Sequence, residues 1–137
     1  MSTTVTFPGV LVQVALTPWG AVLSAAMVPA LLVQALNELR IVRRELRELV
    51  DASRRHHAVD YAIEAEDGQL VGVREKGDTT ELVTIGDPAK VQGTIDRVRQ
   101  AYSRLKVINE VKKQGYRIAK EERLKDGSFR VVVQRWQ

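Results

Sequence analysis

A chain of 137 residues has room for one compact domain and one extended element, and 45% apolar with 28% charged residues is the composition of a folded protein. The absence of cysteine excludes disulfides, thiolate chemistry and cysteine-ligated zinc. A formal net charge of +4 and a pI near 9.6 favour anionic surfaces only in a general way.

The charge is unevenly spread. Residues 1–37 contain no Asp, Glu, Lys or Arg, and every charge lies from Glu38 onward. The first basic residue, Arg40, follows the apolar run instead of preceding it, so a cleaved secretory signal is not expected. Residues 1–17 read as an apolar arm, with a turn at Pro8 and Gly9 and a short strand over 10–16. Thr17 and Pro18 have the chemistry of a helix N-cap and first helical position, and the pattern predicts one long helix over 18–55, kinked at Pro29.

Within that helix Ala25, Val28, Leu32, Ala35, Leu39, Val42, Leu46 and Leu49 recur at 3-4 spacing, the signature of a coiled-coil seam. Glu38 and Arg43 fall at flanking positions suited to pairing between parallel helices. Arg44 with Glu48 and Arg47 with Asp51 would add pairs along the outer face. A helix of this length reaches about 50 Å at ~1.5 Å per residue, more than a small domain covers by itself. Its uncharged part, 19–36, is expected either to bury itself in a homo-oligomer or to span a membrane. In the second case Trp19 sits at one interface, and the arginines from Arg40 hold the following domain on the cytoplasmic side. A cytoplasmic location, with or without membrane association, is expected in both cases.

Residues 56–137 read as an α+β domain with the element order βββαββ. Val59, Tyr61, Ile63 and Ala65 alternate with polar residues, Asp67 and Gly68 form a turn, and strands follow over 70–73 and 81–85, separated by Gly77 and Asp78. Asp87 and Pro88 start a second helix with Val91, Ile95, Val98, Tyr102, Leu105 and Ile108 as its buried stripe, stopped by Gly115. A hairpin about Asp126 and Gly127 closes the chain. The expected fold is therefore α+β, a long apolar and heptad helix followed by a small antiparallel-sheet domain.

No catalytic, cofactor or metal signature emerges. The glycines do not form a phosphate loop, and His56 and His57 read as a linker. Glu64 and Glu66 share one strand face as solvated acids, and Ser103 and Ser128 lack a base at a telling spacing. Basic residues at Arg97, Arg104, Lys106, Lys112 and Lys113 are interleaved with acids and lack exposed aromatics, so nucleic-acid binding is the lesser alternative.

Several segments carry a family resemblance: VDYAI at 59–63, Gly72, GDTTELV at 77–83, QAYSRLKVINEVKKQGYRI at 100–118, and DGSFRVVVQRW at 126–136. Over about 59–136 the chain resembles the uncharacterised family called hypothetical chloroplast reading frame thirty-five, known from plastids, cyanobacteria and other bacteria. The resemblance brings no activity, cofactor or substrate with it, and implies an AAA-type ATPase as a partner. The apolar arm departs from the short strand and helix with which that family usually begins. The function expected is a non-enzymatic structural or adaptor subunit that assembles with itself through its N-terminal part and displays a docking domain. A membrane-anchored adaptor and a basic nucleic-acid binder are the alternatives.

Overall fold

The computed structural model describes residues 2–7, 12–66, 68–77, 79–125 and 129–135, with side chains except those of 2–7, 12–17, 129 and 135. The turn expected at Pro8 and Gly9, the start of the strand over 10–16, and Asp67, Asp78, Asp126, Gly127, Ser128 and Trp136 lie outside the described residues. The elements in chain order are β1 (Ser2–Phe7), β2 (Val12–Thr17), β3 (Gly20–Ala25), α1 (Pro29–Glu38), β4 (Arg43–Arg44), β5 (Glu48–Val50), β6 (His56–Ala58), β7 (Tyr61–Glu64), β8 (Leu70–Lys76), β9 (Thr79–Ile85), a 3-10 turn (Pro88–Val91), α2 (Gln92–Lys113), β10 (Tyr116–Arg123) and β11 (Phe129–Arg135).

The long N-terminal helix does not exist, and the expected fold class is overturned. Pro18 and Trp19 are a hairpin turn between β2 and β3, paired from Thr17 opposite Gly20. β3 then pairs on its other edge with β9, from Gly20 opposite Ile85 to Ala25 opposite Thr80. Ala21, Leu23 and Ala25 are buried while Val22 and Ser24 on the other face are half-buried, so β3 reads as a nearly continuous apolar run that periodicity cannot distinguish from a buried helix. Pro29 is the first residue of α1, after extended Val28, and causes no kink.

α1 ends at Glu38 by a mechanism that conceals itself in the sequence. Arg40 adopts a positive φ of 58°. Its amide donates to the Asn37 carbonyl, and the Ile41 amide donates to the Leu36 carbonyl at 3.0 Å. These are the paired bonds of a Schellman cap, whose left-handed residue is usually glycine. Ile41 and Leu36 belong to the same apolar cluster, completing the motif's hydrophobic contact. Helical spacing beyond Leu39 is therefore coincidental, and no coiled coil forms.

Three antiparallel sheets result, in the orders β2-β3-β9-β8-β7-β4, β1-β11-β10 and β5-β6. On one face of the six-stranded sheet Leu23, Ala25, Ile63, Val71, Val73 and Leu82 pack against Leu32, Ala35 and Leu36 of α1 and Ile95, Val98 and Tyr102 of α2. α2 is about 33 Å long at ~1.5 Å per residue. Its second half continues onto the three-stranded sheet, where Val107 and Val111 meet Val131 and Val133. The βββαββ order expected from residue 56 thus does not close one sheet: β11 pairs with β10 on one edge and β1 on the other, and β7, β8 and β9 share a sheet with β2 and β3.

Buried polar atoms fix the junction between arm and helices. The Thr84 hydroxyl accepts from the Ala21 amide at 3.1 Å and lies 3.2 Å from the Ala21 carbonyl, to which it donates. The Thr80 hydroxyl donates to the Met27 carbonyl at 3.0 Å, and the Tyr102 hydroxyl accepts from the Val28 amide at 2.7 Å. Among the described residues no helix is long and apolar enough to cross a membrane. The span expected over 19–36 is divided between β3 and α1.

Since β3 supplies Ala21, Leu23 and Ala25 to the core, deleting residues 1–25 should abolish cooperative unfolding. Leu23 alone represents roughly 1.5–3 kcal/mol of burial. Urea denaturation followed by circular dichroism checks this; a truncated chain with a full cooperative transition would contradict it.

Candidate docking surface

Between α1 and β7 the chain runs along the edge and across the second face of the six-stranded sheet. β4 pairs with β7 at that edge, with Arg43 opposite Ile63 and Arg44 opposite Ala62. The Arg44 guanidinium is ion-paired with Glu64, and Arg43 lies over the Tyr61 ring at 5.9 Å. Burial, followed by the charge of Glu75, pushes the Tyr61 phenol up to about 12, so it stays neutral beneath the arginine. The chain then crosses as the β5-β6 hairpin.

The sheet makes room for that hairpin by presenting small side chains. Ala62 is opposite Gly72, and Gly72 is opposite Val83, so these three residues form a row across the second face. A Cβ at Gly72 would stand 2.4 Å from Val59 Cγ1 and 3.0 Å from Leu49 Cδ1. Leu49 and Val59 fill that space and join Ala62 and Val83 in a second apolar cluster, with Trp19, Leu70 and Ile85 packed around it.

The hairpin loop is held by one buried carboxylate. Asp51 Oδ1 accepts from the Ser53 amide at 2.8 Å and the Arg55 amide at 3.1 Å, and Oδ2 lies 2.9 Å from His57 Nε2. The Asp51 carbonyl accepts from the Arg54 amide at 2.9 Å, and Arg54 takes a positive φ of 62°, turning the chain back into β6. His57 stacks on Trp19 with ring centroids 4.0 Å apart. The His57 hydrogen bond holds the Asp51 carboxyl below its ordinary range; burial opposes this, and the Arg55 and Ser53 amides reinforce it. An ionised carboxylate only accepts, so His57 Nε2 carries the proton in this bond.

What the segment between α1 and β7 displays is basic and apolar together. Residues 40–58 carry six arginines against Glu45, Glu48 and Asp51. Among the described residues Arg40, Arg54 and Arg55 have no side-chain partner. Val42, Leu46 and Val50 are 54%, 37% and 49% exposed. Leu46 and Val50 rim a groove of about 340 Å³ that Leu49, Leu70 and Ile85 also line.

The ten residues expected to form an oligomer seam do not lie on one stripe. Ala25 ends β3, while Leu32 and Ala35 face this chain's own core. Val28 is exposed before α1, Leu39 caps it, and Val42 and Leu46 are exposed in extended chain. Leu49 is buried in β5. Glu38 pairs with Arg104 at 2.6 Å instead of with Arg43. Glu48 contacts His56 at 3.0 Å, and Arg47 donates to the Asp60 carbonyl, so neither expected outer-face pair forms. His56 and His57 are strand residues instead of linker, and Glu64 and Glu66 are each paired with an arginine, Arg44 and Arg97. The grouping of Asp51, His57 and Trp19 went unseen in the sequence because the first two meet only once the β5-β6 hairpin forms, and tertiary packing alone brings Trp19 to them. The only local signal was Asp51 with Ser53, an Asx-turn pair, set inside an apparent helix.

A carboxyl whose pKa is lowered by folding contributes its full stabilisation above about pH 3.9, the ordinary aspartate value. That contribution disappears as the pH falls through the lower value of the folded state. Wild type should therefore exceed Asp51→Asn in urea midpoint at neutral pH, and the gap should close only below about pH 4. A gap that stays constant down to acid unfolding would contradict the ionised bond.

Residues 35–132 match a family described as Protein of unknown function (DUF1257). The match begins inside α1 and runs through the basic segment and α2 into β11, leaving β1, β2 and β3 outside it. The chain is also 30% identical over 84 residues to a protein described as Uncharacterized protein ycf35 from Pyropia yezoensis. That alignment covers 58% of this chain and 66% of the relative, just under two thirds of its length. It bears out the resemblance to the plastid reading-frame family. No solved structure matches. With most of its length inside the matched region, the chain belongs to the family described as Protein of unknown function (DUF1257).

Proposed function

We propose that this protein is a non-enzymatic adaptor that docks an acidic, apolar-anchored segment of a partner protein along residues 40–58. The observation that carries the reading is the exposure of Val42, Leu46 and Val50 in a segment where Arg40, Arg54 and Arg55 lack side-chain partners and whose β5-β6 hairpin is braced from beneath. Exposed apolar side chains inside a basic rim fit a protein interface, where buried anchors contribute affinity and charges set orientation and encounter rate. The groove between Leu46, Val50 and Leu70, lined also by Glu48 and Gln69, accepts an apolar side chain, and the arginines elsewhere along the segment meet the partner's carboxylates. The AAA-type ATPase implied by the family resemblance is one candidate for that partner.

Nucleic acid is the rival ligand for the same arginines. Three considerations weigh against it: Glu45 and Glu48 interrupt the strip, Arg44 is engaged by Glu64, and Tyr61 lies under Arg43 instead of offering a face for stacking.

A synthetic acidic amphipathic peptide, titrated against the full chain by calorimetry, tests the proposal. Arg54→Glu with Arg55→Glu, and separately Leu46→Asp, should each weaken binding about tenfold, a loss of ~1.4 kcal/mol, with unchanged circular dichroism. A duplex DNA that displaces the peptide at about 0.15 M salt, or binding indifferent to Leu46→Asp, would overturn it.

A further inference from the structure

A second cavity lies away from the docking hairpin. It is a cleft of about 420 Å³ between the end of α1, the outer face of α2 and β10. That volume falls among those of small-molecule sites, roughly 300–1,000 Å³. Arg97, Gln100 and Arg104 reach it together because residues three, four and seven apart share one helix face. Leu39 and Ala101 give it an apolar patch.

The hydrogen-bonding state of the lining decides the sign of the ligand. Every carboxylate in the lining is already engaged. Arg104 donates to Glu38 at 2.6 Å and to Glu121 at 2.7 Å, and its guanidinium is held charged foremost by the Glu121 bond. Glu122 is paired with Arg130 and lies 3.4 Å from Lys120. The donors are not all engaged in this way. Arg123 and Gln100 line the cleft, and among the described residues their side chains have no hydrogen-bond or ion-pair partner. Arg97 is tied to Glu66 at 2.8 Å, but that glutamate is 76% exposed, so water and salt compete for the pair. The cleft therefore keeps unpartnered donors in Arg123 and Gln100, while each of its carboxylates already faces a cation, over an apolar floor.

We infer that this cleft binds a small organic oxyanion, its carboxylate or phosphate head held by Arg123, Arg97 and Gln100 and its body resting on Leu39 and Ala101. Arginine suits such a head because its planar donors match two oxygens at once. Arg104 positions the cleft walls by joining α1 to β10 and is not itself a ligand-binding group.

Calorimetric titration of the full chain with adenosine monophosphate, phenylsuccinate and inorganic phosphate tests this. At least one of the two organic probes should bind at about 1 mM or tighter, with inorganic phosphate about tenfold weaker for lack of a body. Which organic probe binds separates a phosphate head from a carboxylate head. Arg123→Gln should weaken the bound probe about tenfold without altering the melting temperature, since the arginine supports no other described side chain. Arg55→Gln, on the hairpin, should leave binding unchanged. Absence of binding by both organic probes, equal binding of inorganic phosphate, or affinity indifferent to Arg123→Gln would each overturn the inference.

Discussion

The structure depends on β3 being sandwiched between β2 and β9. Gly20 begins that strand so close to β9 that a Cβ there would lie 1.9 Å from the Thr84 carbonyl oxygen. No other residue permits that approach without moving β9. The Thr84 hydroxyl then serves both the amide and the carbonyl of Ala21, leaving no buried polar atom on that residue wanting. With β3 in place the sheet has two faces to cover. α1 follows directly onto one of them, its entry fixed by the bonds from Thr80 and Tyr102 to residues 27 and 28.

The second face explains the basic segment. A hairpin can lie flat there only because Ala62 and Gly72 leave space for Leu49 and Val59. Burying those two side chains, worth about 1.5–3 kcal/mol each, directs their neighbours Glu48, Val50 and Ala58 to solvent, because strand side chains alternate. Asp51 then ties the loop to His57, and His57 to Trp19 in the β2-β3 turn. The displayed arginines and exposed apolar residues therefore stand on a surface braced from both the arm and the sheet. Preorganisation of that kind lowers the ordering cost of docking.

Particular elements show what could be read beforehand. α2 was legible because Asp87 accepts from the Ala89 amide, Pro88 opens the turn, and Gly115, at a φ of 85°, closes the helix. β8 and β9 were legible from alternation about a glycine turn. β3 was not, since apolar Val22 on its half-buried face blurs the alternation, and Thr17 with Pro18 imitates a helix start. The apparent seam joined three unrelated causes of apolarity: core strand, core helix and exposed residues of the basic segment. Arg40 in a left-handed cap hid the helix end that a glycine would have announced. The basic segment was half legible: the arginine run was visible, but its course along the edge and across the second face of the sheet was not. The cleft was not legible at all, since α1, α2 and β10 meet only in the fold.

Amide hydrogen exchange across 20–25 tests the central claim most directly. A strand bonded on both edges within the core exchanges only through global opening, so its amides should share the slowest rates with β9. Exchange of 20–25 at the rate of an exposed or independently fraying segment, while β8 and β9 stay protected, would contradict the account.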